Sequence, residues 1–107
     1  MNEFVYKKLK VYKLSFEQAM EIYEISKKFP KEEKYSLTDQ IRRSSRSVSA
    51  NIGEAYRKRQ YISYFVSKIS DADMENTETQ VWLEFAFASH YISQYQYEKM
   101  NSRSDEI

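Results

Sequence analysis

Apolar residues recur at helical spacing along most of the chain, and breaks in that rhythm divide it into four segments. Phe16, Ala19, Met20 and Tyr23 share one face, while Glu17, Glu21, Glu24 and Lys28 hold the other. Ser15-x-x-Gln18 has the form of a capping box, with Leu14 in the staple position opposite Ala19. A first helix is therefore expected to begin after Ser15. Pro30 should end it near Lys28, because the residue before a proline is pushed out of the α region. Residues 30–35 make a short polar linker, which predicts a second helix returning antiparallel to the first.

The second helix should open at Ser36, with Asp39 in its first turn favoured by the positive dipole end. Leu37, Ile41, Ser44, Val48, Ile52, Ala55 and Tyr56 form one inward stripe, which carries the helix to about Arg59. A third helix is expected from near Tyr61 through "YISYFVSKISDADMENTETQVWLEFAFAS", which contains no breaker. Ser93-x-x-Gln96 marks a fresh N-cap, so a fourth helix should start near Gln94. It is expected to be short, with residues 102–107 a polar tail. The reading is an all-α, antiparallel up-and-down four-helix bundle in one domain, residues 1–107, with a basic, aromatic segment at residues 1–14. A bundle with a stunted fourth helix exposes apolar surface unless a neighbouring subunit covers it.

Composition agrees with long uninterrupted elements. One Gly and one Pro in 107 residues argue against a turn-rich β architecture. The absence of cysteine excludes disulfides, thiolate metal sites and Cys nucleophiles. No apolar run approaches the roughly 18–20 residues needed to span a bilayer, and the first residues show no signal-peptide core. A cytoplasmic protein without membrane contact is expected. A domain this small would also gain stability from oligomerisation.

Charge changes the picture. The net charge is +1, but it conceals opposed blocks. Residues 40–59 carry Arg42, Arg43, Arg46, Arg57, Lys58 and Arg59 against Glu54 alone. Residues 69–98 carry Asp71, Asp73, Glu75, Glu78, Glu84 and Glu98 with no Lys or Arg. On a helical wheel, Arg42, Arg46 and Arg57 cluster opposite the apolar stripe, with Arg43 at their edge. Ala50 and Gly53 fall between them, giving an outward Arg46-Ala50-Gly53-Arg57 ridge. A mid-helix glycine costs ~1 kcal/mol relative to alanine, so a small residue there suggests close approach by another backbone or a sugar–phosphate chain. Flanking arginines could pair with phosphates or carboxylates. On the third helix Asp71, Glu75 and Glu78 share a side with Trp82, and the following stretch through Phe85 is apolar nearly all round. Such a segment is usually buried on every side, here in part by another molecule.

Other chemistry finds little support. His90 is the only histidine, which suits a structural or capping role better than a ligand. The helix-three carboxylates lack the paired Glu-x-x-His motifs of a di-metal bundle, so no metal or other cofactor is expected. Ser44, Ser45, Ser47 and Ser49 have no readable base or oxyanion device, and Ser44 and Ser45 are better read as permitting close helix packing. No glycine-rich phosphate loop is present. Tyr6 and Tyr12 interleave with Lys7, Lys8, Lys10 and Lys13, which suits either docking of an amphipathic segment or contact with bases and phosphates.

Two stretches carry a resemblance. Phe29-Pro30-x-Glu32-x-x-Tyr35-x-Leu37-x-x-Gln40-Ile41-Arg42-Arg43 and Ser47-Val48-Ser49-Ala50-Asn51-Ile52-Gly53-Glu54 resemble the bacterial four-helix-bundle proteins named for 23S rRNA intervening sequences. The likeness continues through "ENTETQVWLEFA" and "HYIS", covering roughly residues 9–100. It implies a homopentameric ring and kinship with the accessory variability protein of diversity-generating retroelements, which engages nucleic acid and a reverse transcriptase. It implies no enzymatic activity. Ser49 stands where the family often has Pro, and Gly53-Glu54-Ala55 replaces the commoner Ala-Glu-Gly order. The fourth helix is expected at about half the family's length.

Two functions follow as expectations. The first is a non-enzymatic oligomer binding RNA or DNA, structured RNA above all, through Arg42, Arg43, Arg46, Arg57, Lys58 and Arg59. The alternative is a protein-interaction scaffold without a nucleic-acid role. In it, the same arginines are consumed by the acidic third helix of a neighbouring subunit or partner protein, with Ala50 and Gly53 of the basic helix docked against Asp71, Glu75, Glu78, Trp82 and Phe85 there.

Overall fold

The computed structural model describes residues 5–107. A 3-10 turn, Val5–Lys8, leads into α1, Lys10–Ser26. A second 3-10 turn and a wide π turn, Lys34–Thr38, open α2, Asp39–Arg57. Helices α3, Ile62–Ala88, and α4, Gln94–Glu106, complete the chain. α1 packs on α2, α2 on α3, α3 on α4, and α4 closes back on α1. The result is an all-α four-helix bundle 45 Å long.

The inward stripe read for the second helix is the core. Leu37, Ile41, Ser44, Val48, Ile52 and Ala55 are all buried, and Tyr56 is half-buried. They meet Ala72, Asn76, Thr79, Leu83 and Ala86 of α3, which repeat at steps of four and three. Apolar packing falls into two clusters. Ile22, Phe29, Leu37, Ile41, Leu83, Ala86, Ile92 and Met100 fill one end. Val48, Ile52 and Ala72 fill the other, with Val11, Tyr12 and Ile107 against them. A belt of small polar groups lies among these helices. Ser15 and Ser49 hydroxyls share a hydrogen bond of 2.9 Å, and Ser44 and Thr79 share one of 2.8 Å. Their small size lets the helices approach closely, as expected for Ser44.

Three local expectations are corrected. α1 begins at Lys10 rather than after Ser15, so the basic segment read at residues 1–14 is in part helical. Ser15 caps nothing: its hydroxyl donates to the Tyr12 carbonyl at 2.8 Å. Gln18 Nε2 donates instead to the Met100 carbonyl at 2.7 Å and to Ser104 Oγ at 2.8 Å. Ser36 does not open α2 either. It sits in the π turn and donates to Glu33 Oε1 at 2.6 Å. The Ser93 box, by contrast, forms fully, with Gln96 N–H on Ser93 Oγ and Ser93 N–H on Gln96 Oε1.

Residues 102–107 are not a polar tail. Residues 102–106 are the last turns of α4 and Ile107 is its C-cap, and Arg103 and Ser104 are buried there. Arg103 donates to Gln18 Oε1 at 2.8 Å and pairs with Glu21 at 2.9 Å and Glu17 at 3.2 Å. Met100, Arg103, Ser104 and Ile107 stand at helical steps on one face, so partners from α1 sustain a polar sequence inside the bundle. α4 is nevertheless the shortest of the four α-helices, at 13 residues.

His90 ends α3. It adopts φ 65°, the left-handed region. Its N–H reaches the Phe87 carbonyl at 3.0 Å, and Tyr91 N–H reaches the Ala86 carbonyl at 2.9 Å. This is a Schellman closure with histidine in the place glycine usually takes. The capping role read for His90 is thus a backbone one.

Candidate nucleic-acid interface on the second helix

The cations of α2 are sorted by the helices on either side of it. Arg42 turns toward α1: its Nε donates to Ser26 Oγ at 2.7 Å, and its guanidinium lies 4.8 Å from the Tyr23 ring centre. Arg46, one turn later, lies 5.5 Å from the same ring. Tyr23 is thus an aromatic platform under two guanidiniums, each attracted to the negative ring face. Sequence reasoning placed Tyr23 on an apolar face and missed this role; its amphipathic ring was the available signal.

Arg43 turns the other way. It bridges to α3 through Glu78 at 2.9 Å and Glu75 at 3.5 Å. Two of the acids expected to meet a neighbour's arginines therefore meet an arginine of their own chain. Arg42, Arg43 and Arg46 border an open concavity of about 700 Å³ with Asp39, Gln40, Ser47 and Ala50.

Arg57, Lys58 and Arg59 form a second group at the far end of α2. Lys58 lies 5.5 Å from the Tyr61 ring centre. Arg59 lies 4.2 Å from the Tyr56 ring centre and donates to the Tyr56 carbonyl at 2.7 Å. Basic residues there also complement the negative end of the helix dipole. The six cations thus form two groups, with Arg46 and Arg57 about 16 Å apart along the axis at 1.5 Å per residue.

The ridge between them is partly roofed. Gly53 is half-buried, and the Tyr6 ring of the N-terminal turn rests over it. Tyr6 in turn meets Tyr12 edge to face, with centres 5.1 Å apart. A wheel drawn for one helix could not show this, because the cover comes from a distant segment. Ala50 remains exposed. Glu54, the single acid of the basic stretch, is paired with Lys68 at 3.3 Å. The hydrogen bond to Glu54, and then its charge, push the Lys68 ammonium up from its usual range.

On α3, Asp71 is exposed and Trp82 half-buried, while Phe85 keeps 56% of its surface exposed. Trp82 and Phe85 pack with ring centres 5.9 Å apart. The Trp82 indole N–H is buried without a partner among the described residues.

Among the described residues, no group of three or more His, Cys, Asp or Glu could hold a metal ion. No helix there is long and apolar enough to cross a membrane. Residues 7–107 match the family described as 23S rRNA-intervening sequence protein. The chain belongs to that family. The match carries the likeness read at residues 9–100 through to the end of α4. A solved structure is similar to it: a protein of unknown function from the S23 ribosomal protein family of Bacteroides thetaiotaomicron VPI-5482. The two share 37% identity with a TM-score of 0.80, over 90% of this chain and 86% of that one. No curated protein matches. For a member of the 23S rRNA-intervening sequence family, the matched range takes in all four helices and both cation groups.

Proposed function

We propose that this chain is a non-enzymatic, cytoplasmic helical bundle that assembles into an oligomer and binds nucleic acid, structured RNA above all, through α2. The observation that carries the reading is the pair Arg42 and Arg46 held over Tyr23 beside an open concavity. An aromatic platform preorganises both guanidiniums, so less side-chain freedom is lost when each takes a phosphate. Arg57, Lys58 and Arg59 extend the footprint. Phosphate contacts fix position and carry no sequence information, so recognition is of shape.

The test is RNA binding across a salt series. Affinity is expected to fall by roughly 0.7–0.9 log units per phosphate contact for each log unit of salt. The reversals Arg42→Glu and Arg46→Glu should each weaken binding while leaving the bundle folded. A flat salt profile, or no retention at low ionic strength, overturns the reading.

A second reading is favoured by a different surface. Met74, Val81 and Phe85 stand at steps of seven and four on α3, exposed at 67%, 41% and 56%. That stripe suits a protein partner, a second copy of this chain foremost. If Phe85→Asp dissociates an oligomer seen by light scattering without changing RNA affinity, the two surfaces serve separate ends. An unchanged mass removes this stripe from any interface.

A further inference from the structure

Between α1 and the α2 ridge lies a cleft of about 600 Å³ that the phosphate reading leaves unused. Tyr12 and Phe16 form one wall, with rings stacked at 6.2 Å and 27° between planes. Ala50 and Gly53 lie on the opposite side, with Arg46 and Arg57 at the two ends. Phe16 and Met20 expose 52% and 47% of their surface, side by side at a concavity. Large apolar groups exposed beside a cleft of this size are the usual lining of a ligand site.

Gly53 lies under Tyr6 at the lining of this cleft. A methyl group there would stand 3.5 and 3.6 Å from two Tyr6 ring carbons, ordinary van der Waals contact. The packing of the described residues therefore tolerates alanine, which is ~1 kcal/mol better in a helix interior. The methyl would stand beneath the Tyr6 ring, which already covers this position.

Charge identifies the occupant. Glu54, the acid lining the cleft, is engaged by Lys68. Glu17, just outside it, is engaged by Arg103. Among the described residues, the contact made by Arg46 is with an aromatic ring, which leaves its charge uncompensated there. A flat aromatic wall, a floor of small side chains and a guanidinium at each end fit a planar, apolar-faced group on an anionic chain. We infer that the cleft accepts an unpaired nucleobase of a single-stranded nucleic acid, stacked against Phe16, while Arg46 takes a phosphate beside it. The inference rests on the nucleic-acid reading of α2 and sharpens it, since duplex alone would leave the cleft empty. Base stacking on an aromatic ring tolerates any sequence.

The experiment measures binding of the full chain, by fluorescence anisotropy at low ionic strength, to two labelled probes. One is a short oligouridylate; the other is an abasic ribose–phosphate oligomer of equal length. The wild-type chain is expected to prefer oligouridylate by about tenfold, the scale of one stacked base. Phe16→Ala should remove that preference and leave abasic binding unchanged; the exposed position of Phe16 makes the variant tolerable to the fold. Gly53→Ala should raise the melting temperature. Equal binding of both probes by wild type, or equal losses on both in Phe16→Ala, overturns the cleft while the phosphate reading stands. Competition by an acidic, Phe-containing peptide at equal concentration overturns it in favour of a protein ligand. Failure of both probes to bind overturns the phosphate reading as well.

Discussion

Arg43 reaches from α2 to Glu78 of α3 at 2.9 Å, with Glu75 at 3.5 Å on its other nitrogen. Among the described residues, the contact makes Arg43 the one arginine of the Arg42–Arg43–Arg46 group tied to carboxylates. Half of its side chain is exposed, so the bridge contributes at most about 1 kcal/mol to stability. Its larger effect is on binding. Replacing both acids, Glu75→Gln with Glu78→Gln, removes two negative charges and releases the guanidinium. RNA affinity should rise several-fold, and the salt slope should steepen by about 0.7–0.9, one further phosphate contact. An unchanged slope would show that Arg43 has no access to phosphate.

Arg103 is a different kind of ion pair. It is buried, and it holds Gln18, Glu17 and Glu21 together at the α1–α4 contact. Arg103→Ala leaves the Gln18 oxygen without its donor and Glu21 with Lys99 alone, at 3.6 Å. A loss of about 3 kcal/mol is expected in urea unfolding, as for other buried pairs broken on one side. Arg103→Lys should recover little, because an ammonium cannot reproduce the forked geometry. A loss below about 0.5 kcal/mol in the alanine variant would show that water reaches the site.

His90 occupies a left-handed position at φ 65°. That conformation costs a residue with a Cβ about 1–2 kcal/mol, and glycine escapes the cost at some expense in unfolded-state entropy. His90→Gly should therefore stabilise the bundle by about 0.5–1 kcal/mol. The readout is the melting temperature, expected to rise by several degrees. No rise would mean that the imidazole makes a compensating contact.

The Glu33–Tyr91 contact sets a pH dependence with two limbs. Tyr91 Oη donates to Glu33 Oε2 at 2.8 Å. Hydrogen bonds from Ser36, and then from Tyr91, hold the Glu33 carboxyl below its ordinary value near 4.5. Its contribution is complete above that value and is lost as pH falls through the lowered one. The same contact with Glu33 pushes the Tyr91 phenol above its ordinary value near 10. That contribution is complete below 10 and is lost as pH rises through the raised value. Tyr91→Phe should shrink the alkaline limb of melting temperature against pH. Ser36→Ala should shrink the acid limb more than Tyr91→Phe does. The reverse order would reassign the cause.

What the sequence makes legible here is whatever is periodic or local. The run from Leu37 to Ala55 repeats every three or four residues, so its buried face can be read directly. The Ser93 box closes within four residues, and it forms. Ser15 and Gln18 carry the same local pattern, yet their partners are Ser49, Met100 and Ser104, far along the chain. Nothing local distinguishes the two cases. Arg103 reads as solvent-facing because its three partners belong to another helix. The same blindness hides the site: a single-helix wheel finds Arg42, Arg46 and Gly53 on an outward face. It cannot see Tyr23 beneath the first two or Tyr6 above the third.

The hydroxyl belt has a further consequence for how the helices are aligned lengthwise. An all-aliphatic seam between α2 and α3 would tolerate a shift of one turn at small cost, because one branched side chain replaces another. Here such a shift would part Ser44 from Thr79 and lose the hydrogen bond between the helices, at about 0.5–1.5 kcal/mol. Ser15 and Ser49 impose the same penalty between α1 and α2. The belt therefore works as an index mark, admitting one axial alignment of three helices and discouraging exchange of a helix with another copy.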